Sequence, residues 1–309
     1  MRGDLRAIGR PAGTLSRRMG VWLGRHTYTL MILPAALTIL LIILFPLVYT
    51  LWMAVHEYSM GVNAAPRFIG LANYLHSFKD QRFLEAIPRT FYFTLLGVVA
   101  PTAIGTAAAL AFAREFPGRG ILRTVFSLPM MATPVSIALI WQMMFHPQLG
   151  VLNYFLSLLH VSPQPWIFST RSVIPTLAIV ETWQWTPFVM LIVLGGLAAL
   201  PSEPYEAALI DGASRLQTIR YVTIPLVWPY IMIALLLRSI DALKAFDIIY
   251  VMTQGGPGTA SETLNIFLYL QAFAFYNIGL SSAVVVIYFV ILLVMSIGLL
   301  VARQKTSWQ

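Results

Sequence analysis

The sequence predicts an all-α membrane protein with six membrane-spanning helices. Apolar residues make up 58% of the 309 residues and charged residues only 10%, whereas a soluble domain carries about 25% charged residues. The mean hydropathy is +0.77. Since roughly 20 apolar residues cross a bilayer as a helix, we place the spans at residues 30–52, 88–113, 125–146, 173–200, 226–252 and 279–302.

Several of these runs contain prolines, namely Pro34, Pro46, Pro101, Pro129, Pro134 and Pro187. A proline inside a span is tolerated where neighbouring helices or waters satisfy the carbonyl that it frees. We therefore expect kinked helices around a cavity rather than a plain anchor bundle.

The N-terminal segment, residues 1–29, is basic and rich in glycine. It holds six arginines and one acidic residue, Asp4, so we expect a loose tail. The apolar run that follows is too long for the core of a signal peptide and has no small-residue cleavage site. We interpret this run as an uncleaved first span.

Lysine and arginine predict the orientation. The two tails and the loops on their side carry 13 of these residues, and the loops on the opposite side carry five. The positive-inside rule therefore predicts that both termini are cytoplasmic, in the cytoplasmic (inner) membrane. These arginines flank apolar spans rather than form a basic face with stacking aromatics. Lipid is thus an expected partner and nucleic acid is not.

Sequence patterns for catalysis are missing. The chain has no cysteine, which excludes disulfides and thiolate metal sites. It has neither a phosphate-binding G-x-x-x-x-G-K-[ST] loop nor the H-E-x-x-H and G-x-S-x-G motifs, and its five histidines lack ligand spacing. We expect no catalytic residue, no metal and no cofactor in this chain.

A polar segment, YEAALIDGASRLQTIRYVTIPLVWP, occupies residues 205–229 between the fourth and fifth runs. Gly212 can adopt a left-handed backbone and so turn the chain between two short helices. Pro225 is expected to end the second short helix, and Pro229 to begin the next apolar run. Flanked by two spans, this segment would form a docking surface in water.

The spacing E-A-A, three residues, Gly, nine residues, I-x-L-P resembles the coupling loop of ABC importer permeases. Here it reads Glu206-Ala207-Ala208, Gly212 and Val222-Thr223-Ile224-Pro225, with two conservative departures. The resemblance implies the type I importer permease architecture, in which residues 205–225 contact ATPase subunits. Glu206 would cap or salt-bridge the first short helix. The expected coupling residues are Glu206, Ala207, Ala208, Asp211, Gly212, Ala213, Gln217 and Pro225.

Two further segments resemble the carbohydrate group of these permeases. They are F-I-G-L-A-N-Y at residues 68–74, typical of the first of two paired sugar permeases, and F-D-I-I-Y-V-M-T-Q-G-G-P at residues 246–257. Gly-Gly-Pro-Gly also predicts a tight turn that stops the helix. The resemblance spans residues 30–302, leaving 1–29 and 303–309 as cytoplasmic tails.

The same resemblance implies partners: a second permease, two ATPase subunits that bind ATP and Mg²⁺, and an extracytoplasmic solute-binding protein. It implies that a carbohydrate is the substrate.

One face of the fourth span carries Glu181, Gln184, Trp185 and Phe188 at positions i, i+3, i+4 and i+7. Carboxylates, amides and aromatic rings are the groups that bind sugars. In the fifth span, Arg238, Asp241, Lys244 and Asp247 alternate in sign every three residues, so they either line a cavity or form an ion-pair ladder. The resemblance implies that both spans line the substrate path. The candidate substrate residues are Glu181, Gln184, Trp185, Phe188, Arg238, Asp241, Ala242 and Ala245.

Three alternatives remain open from the residues alone. An importer of sn-glycerol 3-phosphate could use Arg238 and Lys244 to bind the phosphate. An ion-coupled secondary carrier could use the charges of the fifth span. A membrane-embedded enzyme would require a nucleophile or a metal site, and the sequence shows neither.

Overall fold

The computed structural model describes residues 14–62 and 65–306, which are mostly helical. This confirms the predicted fold class. The α-helices are α1 Thr14–Ala54, α2 Ala72–Ser77, α3 Gln81–Phe112, α4 Arg119–Ser127, α5 Pro134–Met144, α6 Val151–Leu158, α7 Val173–Ala198, α8 Glu203–Ile210, α9 Arg215–Thr218, α10 Ile224–Leu243, α11 Asp247–Thr253, α12 Leu264–Tyr269 and α13 Ile278–Thr306. Two short strands, β1 His56–Glu57 and β2 Arg67–Phe68, pair antiparallel with His56 opposite Phe68.

Five helices in the described part of the chain are long and apolar enough to cross a membrane, and a sixth span exists if one bent pair counts as a unit. The five are Met31–Ala54, Gln81–Phe112, Val173–Ala198, Arg215–Leu243 and Ile278–Val301. The predicted third span, residues 125–146, is therefore not one continuous helix, because it contains this bend. Helices α4 and α5 meet there at 96°. Pro129 and Pro134 lie at this break, and each lacks the N–H that a continuous helix needs.

The fifth span also differs from its predicted limits of 226–252. It ends at Leu243, and a separate helix begins at Asp247. At the other end, α9 continues through a π-helical turn, residues 219–223, into α10. Pro225 is therefore the second residue of α10, inside a continuous helical segment, instead of ending a short helix. A local π-helical turn can satisfy the backbone group that a proline frees.

The described residues of both expected tails are helical. Helix α1 begins at Thr14, so residues 14–29 are helical rather than loose. Residues 303–306 likewise belong to α13. Residues 1–13 and 307–309 lie outside the described residues.

Helices α3, α7 and α10 pack together as the centre of the bundle. A Cβ on Gly105 of α3 would lie 2.7 Å from the Val189 Cβ and 2.8 Å from the Thr186 carbonyl oxygen of α7. Only glycine permits this approach, as is common where membrane helices touch. Apolar side chains of α7 and α10 fill the adjoining core, among them Val189, Met190, Val193, Val227 and Ile231.

Buried polar side chains fasten the segments between the long helices. The Asn73 Nδ2, from F-I-G-L-A-N-Y, donates to the carbonyl oxygens of Ala54 (3.0 Å) and His56 (2.9 Å). The buried Glu262 accepts a 2.8 Å hydrogen bond from Arg82 Nη2. Both contacts hold connecting segments against helix ends.

The turn predicted from Gly-Gly-Pro-Gly is present. Helix α11 ends at Thr253, after which Gln254 and Gly255 have positive φ values of 50° and 94°.

Candidate functional site

A polar elbow, residues 203–223, joins α7 to α10. It consists of α8, a turn at Gly212, α9 and the π-helical turn. Gly212 has φ +74°, as predicted. The Ala213 N–H donates to the Ala208 carbonyl at 2.9 Å and the Gly212 N–H to the Leu209 carbonyl at 3.1 Å. These bonds satisfy the last carbonyls of α8 and fix the direction in which the chain leaves the helix.

A capping box fixes the start of α9. The Ser214 N–H donates to Gln217 Oε1 at 2.7 Å, and the Gln217 N–H donates to Ser214 Oγ at 3.4 Å. Two orphan N–H groups are thereby satisfied. This box gives Gln217 a structural role in the elbow. Ser214 was not among the predicted residues, although Ser-x-x-Gln is visible in the sequence.

The outer side of the elbow exposes large apolar side chains. Leu209 is 79% exposed, Ile210 86% and Leu216 75%. Of the predicted coupling residues, Ala208 is buried and Ala213 half-buried, while Glu206, Ala207, Asp211, Gly212, Gln217 and Pro225 are exposed. Exposed apolar residues beside polar ones are typical of a protein–protein contact.

Glu206 does not make the expected cap or salt bridge. It lies exposed in the first turn of α8, and no ion pair involves it within residues 14–62 and 65–306. A carboxylate there stabilises the helix through its dipole, and it remains available to a partner.

A buried ion pair lies between the helices on either side of the elbow. Arg238 of α10 is fully buried, and its Nη2 donates to Glu181 Oε1 of α7 at 2.6 Å. The same nitrogen donates to the Gly97 carbonyl of α3 at 3.2 Å. The Arg238 guanidinium also lies 5.0 Å from the centre of the Trp185 ring. One arginine thus joins α3, α7 and α10.

The other predicted residues of α7 extend this cluster. The Trp185 and Phe188 rings meet edge to face at 6.1 Å, and both are half-buried. Gln184 is buried, and its Nε2 lies 3.4 Å from the Ala132 carbonyl oxygen at the break between α4 and α5. Arg238 Nε and Nη1 and Gln184 Oε1 have no hydrogen-bond partner among the described residues.

The four charges of the fifth span do not form one ladder. Arg238 pairs with Glu181, whereas the exposed Asp241 approaches Lys244 at 3.7 Å. Asp247 belongs to α11, so the helical spacing that aligned all four residues ends at Leu243. A buried guanidinium requires a buried carboxylate, and Glu181 fulfils this requirement better than the exposed Asp241.

The two predicted alanines lie on either side of this helix break. Ala242 is buried, 3.9 Å from where a Cβ on Gly97 would lie. The half-buried Ala245 packs against the apolar core formed with α11. The sequence did not indicate Gly97 or Ala132, because both contribute only backbone carbonyls.

The geometry provides fixed polar groups inside an apolar bundle and a rigid elbow outside it. Within the described residues, no group of three or more His, Cys, Asp or Glu side chains could hold a metal ion. The fold and site thus define a class: a membrane protein that spans the bilayer several times and carries polar groups in its interior.

Residues 101–307 match the family described as "Binding-protein-dependent transport system inner membrane component". The chain belongs to this family of ABC transporter permeases. It is a transport component rather than an enzyme, and it is integral to the membrane.

Known relatives cover most of the chain. The trehalose/maltose transport system permease protein MalF of Thermococcus litoralis is 38% identical, over 85% of this chain and 89% of that protein. The trehalose transport system permease protein SugA of Mycobacterium tuberculosis is 33% identical, over 86% of this chain and 84% of that protein.

The fold is also found in solved structures. A chain in the crystal structure of a bacterial alginate ABC transporter, in complex with an alginate pentasaccharide-bound periplasmic protein, aligns with a TM-score of 0.81. The alignment covers 94% of this chain and 98% of that chain at 21% identity. This chain therefore has the type I importer permease fold.

Proposed function

We propose that this chain is one of two paired permease subunits of an ABC importer that carries a carbohydrate across the cytoplasmic membrane. Two ATPase subunits would bind the elbow from the cytoplasm and supply the energy. An extracytoplasmic solute-binding protein would deliver the sugar. The names of the trehalose/maltose and trehalose relatives support this substrate class.

The observation that carries the proposal is the rigid connection between the elbow and the bundle. Helix α9, the π-helical turn and α10 form one uninterrupted helical segment from Arg215 to Leu243. A partner that binds the exposed face of the elbow would therefore contact the end of the helical segment that continues into the membrane as α10. Its movement would be transmitted as a rigid-body shift rather than absorbed by a loop.

The Glu181–Arg238 ion pair extends this movement to neighbouring helices. It connects α7, which enters the elbow, to α10, which leaves it, and the Gly97 carbonyl adds α3. The three helices would then tilt as one body when the elbow is displaced. Alternating access requires such a unit with discrete positions.

The polar cluster of α7 and α10 supports passage of a hydroxyl-rich solute. Trp185 and Phe188 offer aromatic faces, and Gln184 and Arg238 retain buried polar atoms that have no partner in the part of the chain that the structure describes. Buried polar atoms normally find hydrogen-bond partners, which sugar hydroxyls or water would supply.

An importer of sn-glycerol 3-phosphate is less well supported. Glu181 already neutralises Arg238, and Lys244 lies near Asp241.

An ion-coupled carrier makes a different prediction about energy. Under the proposed function, uptake by intact cells stops when ATP is depleted while the proton gradient is kept. Continued uptake under these conditions would contradict the proposal and favour an ion-coupled carrier.

We predict that the double variant Leu209→Asp/Ile210→Asp loses its ATPase subunits. The two side chains are among the most exposed apolar residues of the elbow, so charging them removes a binding surface without disturbing the core. The measurement is co-purification of the ATPase subunits, with thermal unfolding of the permease as a check. The control is Leu149→Asp, since Leu149 is 86% exposed outside the elbow. Unchanged ATPase recovery in the double variant would refute the docking role.

We also predict that Trp185→Ala weakens solute transport at low solute concentration. Loss of one stacking face should raise the KM for uptake about tenfold, equivalent to about 1.4 kcal/mol. Trp183→Ala is the matched control, because Trp183 lies on a different face of α7 and is 45% exposed. Equal KM values for the Trp185 variant and the wild type would exclude Trp185 from the solute path.

A further inference from the structure

An apolar groove of about 980 Å³ lies on the surface of the bundle, and neither residue of the buried ion pair lines it. Its walls come from α3, α4, α5 and α7, and its lining is apolar except for Thr182 and Thr186. Leu96 and Ile104 line it from α3, and Ile179 and Trp183 from α7. In a bilayer, a groove of this composition accommodates hydrocarbon.

Unpaired positive charge lies on α4, before the residues Val125 and Phe126 with which this helix lines the groove. Arg119 and Arg123 are one turn apart on α4, and Arg114 lies five residues before the first residue of that helix. None of the three forms an ion pair with a carboxylate in the described part of the chain. The Arg119 Nη1 donates instead to the Arg114 carbonyl at 3.3 Å, which holds two of the arginines close together.

Helix α4 connects the charge to the groove. Phe126, which lines the groove, follows Arg123 by three residues and therefore lies on the same face one turn later. The Phe126 ring packs against the Phe112 ring of α3, with 5.7 Å between the ring centroids. Ile121 and Leu122 on the same helix are 74% and 52% exposed. This amphipathic helix has the pattern of one that lies at a membrane surface.

We propose that this groove binds an anionic phospholipid. Arg119 and Arg123 would hold the phosphate, with Arg114 adjacent, and an acyl chain would lie along α7. Arginine matches phosphate oxygens with paired hydrogen bonds, and basic pockets between membrane helices select anionic headgroups. The apolar groove alone would accommodate any lipid chain or a neighbouring helix. The unpaired arginines beside it favour an anionic lipid.

The test uses the purified transporter in nanodiscs of equal parts phosphatidylglycerol and phosphatidylcholine. Native mass spectrometry after detergent extraction counts the lipids that each complex retains. We expect phosphatidylglycerol to be retained selectively by the wild type. Arg119→Gln/Arg123→Gln should lower its affinity by roughly 30-fold, which corresponds to about fivefold per arginine. Thr182→Phe, which fills the groove and spares the arginines, should also reduce retention.

The control is Arg171→Gln, which removes an exposed arginine from the connection before α7 and should leave retention unchanged. Equal retention of the two lipids by the wild type would overturn the proposal. Retention of phosphatidylglycerol at the wild-type level by the double arginine variant would also overturn it. Crosslinking of a residue placed at Ile179 to the second permease would do the same, because a helix of that subunit would then occupy the groove. None of these readouts depends on sugar transport.

Discussion

Glu181→Ala is expected to lower the free energy of unfolding by about 3–5 kcal/mol and to abolish uptake. The substitution leaves the Arg238 guanidinium buried without its carboxylate, and removing one partner of a buried pair costs this much. Thermal unfolding in detergent and solute uptake by whole cells measure the two effects.

Two further variants distinguish folding from function. Glu85→Gln breaks the partly exposed pair between Glu85 and Arg89 and should leave stability unchanged, because such pairs contribute little. Glu181→Leu/Arg238→Met replaces the buried pair with apolar side chains of similar length, which often restores stability. We expect this double variant to fold and still fail in transport. Wild-type uptake by the double variant would show that the ion pair has no part in transport.

Gly212→Val is expected to abolish uptake while the bundle stays folded. Gly212 has φ +74°, and a β-branched residue resists this conformation at a cost of about 1–3 kcal/mol. A Cβ at this position would meet no atom within 4 Å, so the effect comes from the backbone and not from a clash. The turn would open, and the exposed faces of α8 and α9 would no longer form one surface. Uptake and co-purified ATPase activity measure the loss.

Asparagine tolerates a left-handed backbone better than valine, so Gly212→Asn should retain most of the uptake. Gly61→Val provides the matched control, since Gly61 has φ +84° and its Cβ would also meet no atom within 4 Å. That variant carries the same backbone strain outside the elbow and should transport normally. Normal uptake and ATPase binding by Gly212→Val would refute the role of the turn.

The sequence predicted the spans better than the breaks within them. Pro101 and Pro187 lie inside unbroken helices α3 and α7, whereas Pro129 and Pro134 flank a 96° bend. Two prolines five residues apart remove two N–H groups from consecutive turns, which a helix tolerates less well than one. Hydropathy cannot detect this difference, because every residue at the bend remains compatible with the bilayer.

The sequence singled out residues that the structure brings together, but it did not predict how they pair. Glu181, Trp185 and Arg238 were all expected, and the structure places them together. Spacing along one helix favoured pairing of Arg238 with Asp241, because sequence shows neighbours within an element only. Glu181 lies 57 residues from Arg238 along the chain, and only the packing of α7 against α10 brings the two together. The Gly212 turn was predictable because it depends on local backbone geometry.

Because the helical segment from Arg215 to Leu243 is uninterrupted, a small tilt of the segment produces a large displacement at its far end. Its 29 residues correspond to about 44 Å at about 1.5 Å per residue, so a tilt of about 5° displaces the far end by about 4 Å. That displacement exceeds the radius of a water molecule and approaches the width of a sugar ring. Under the proposed function, a small rotation of an ATPase subunit bound to the elbow would therefore displace the opposite end of this helix by about 4 Å.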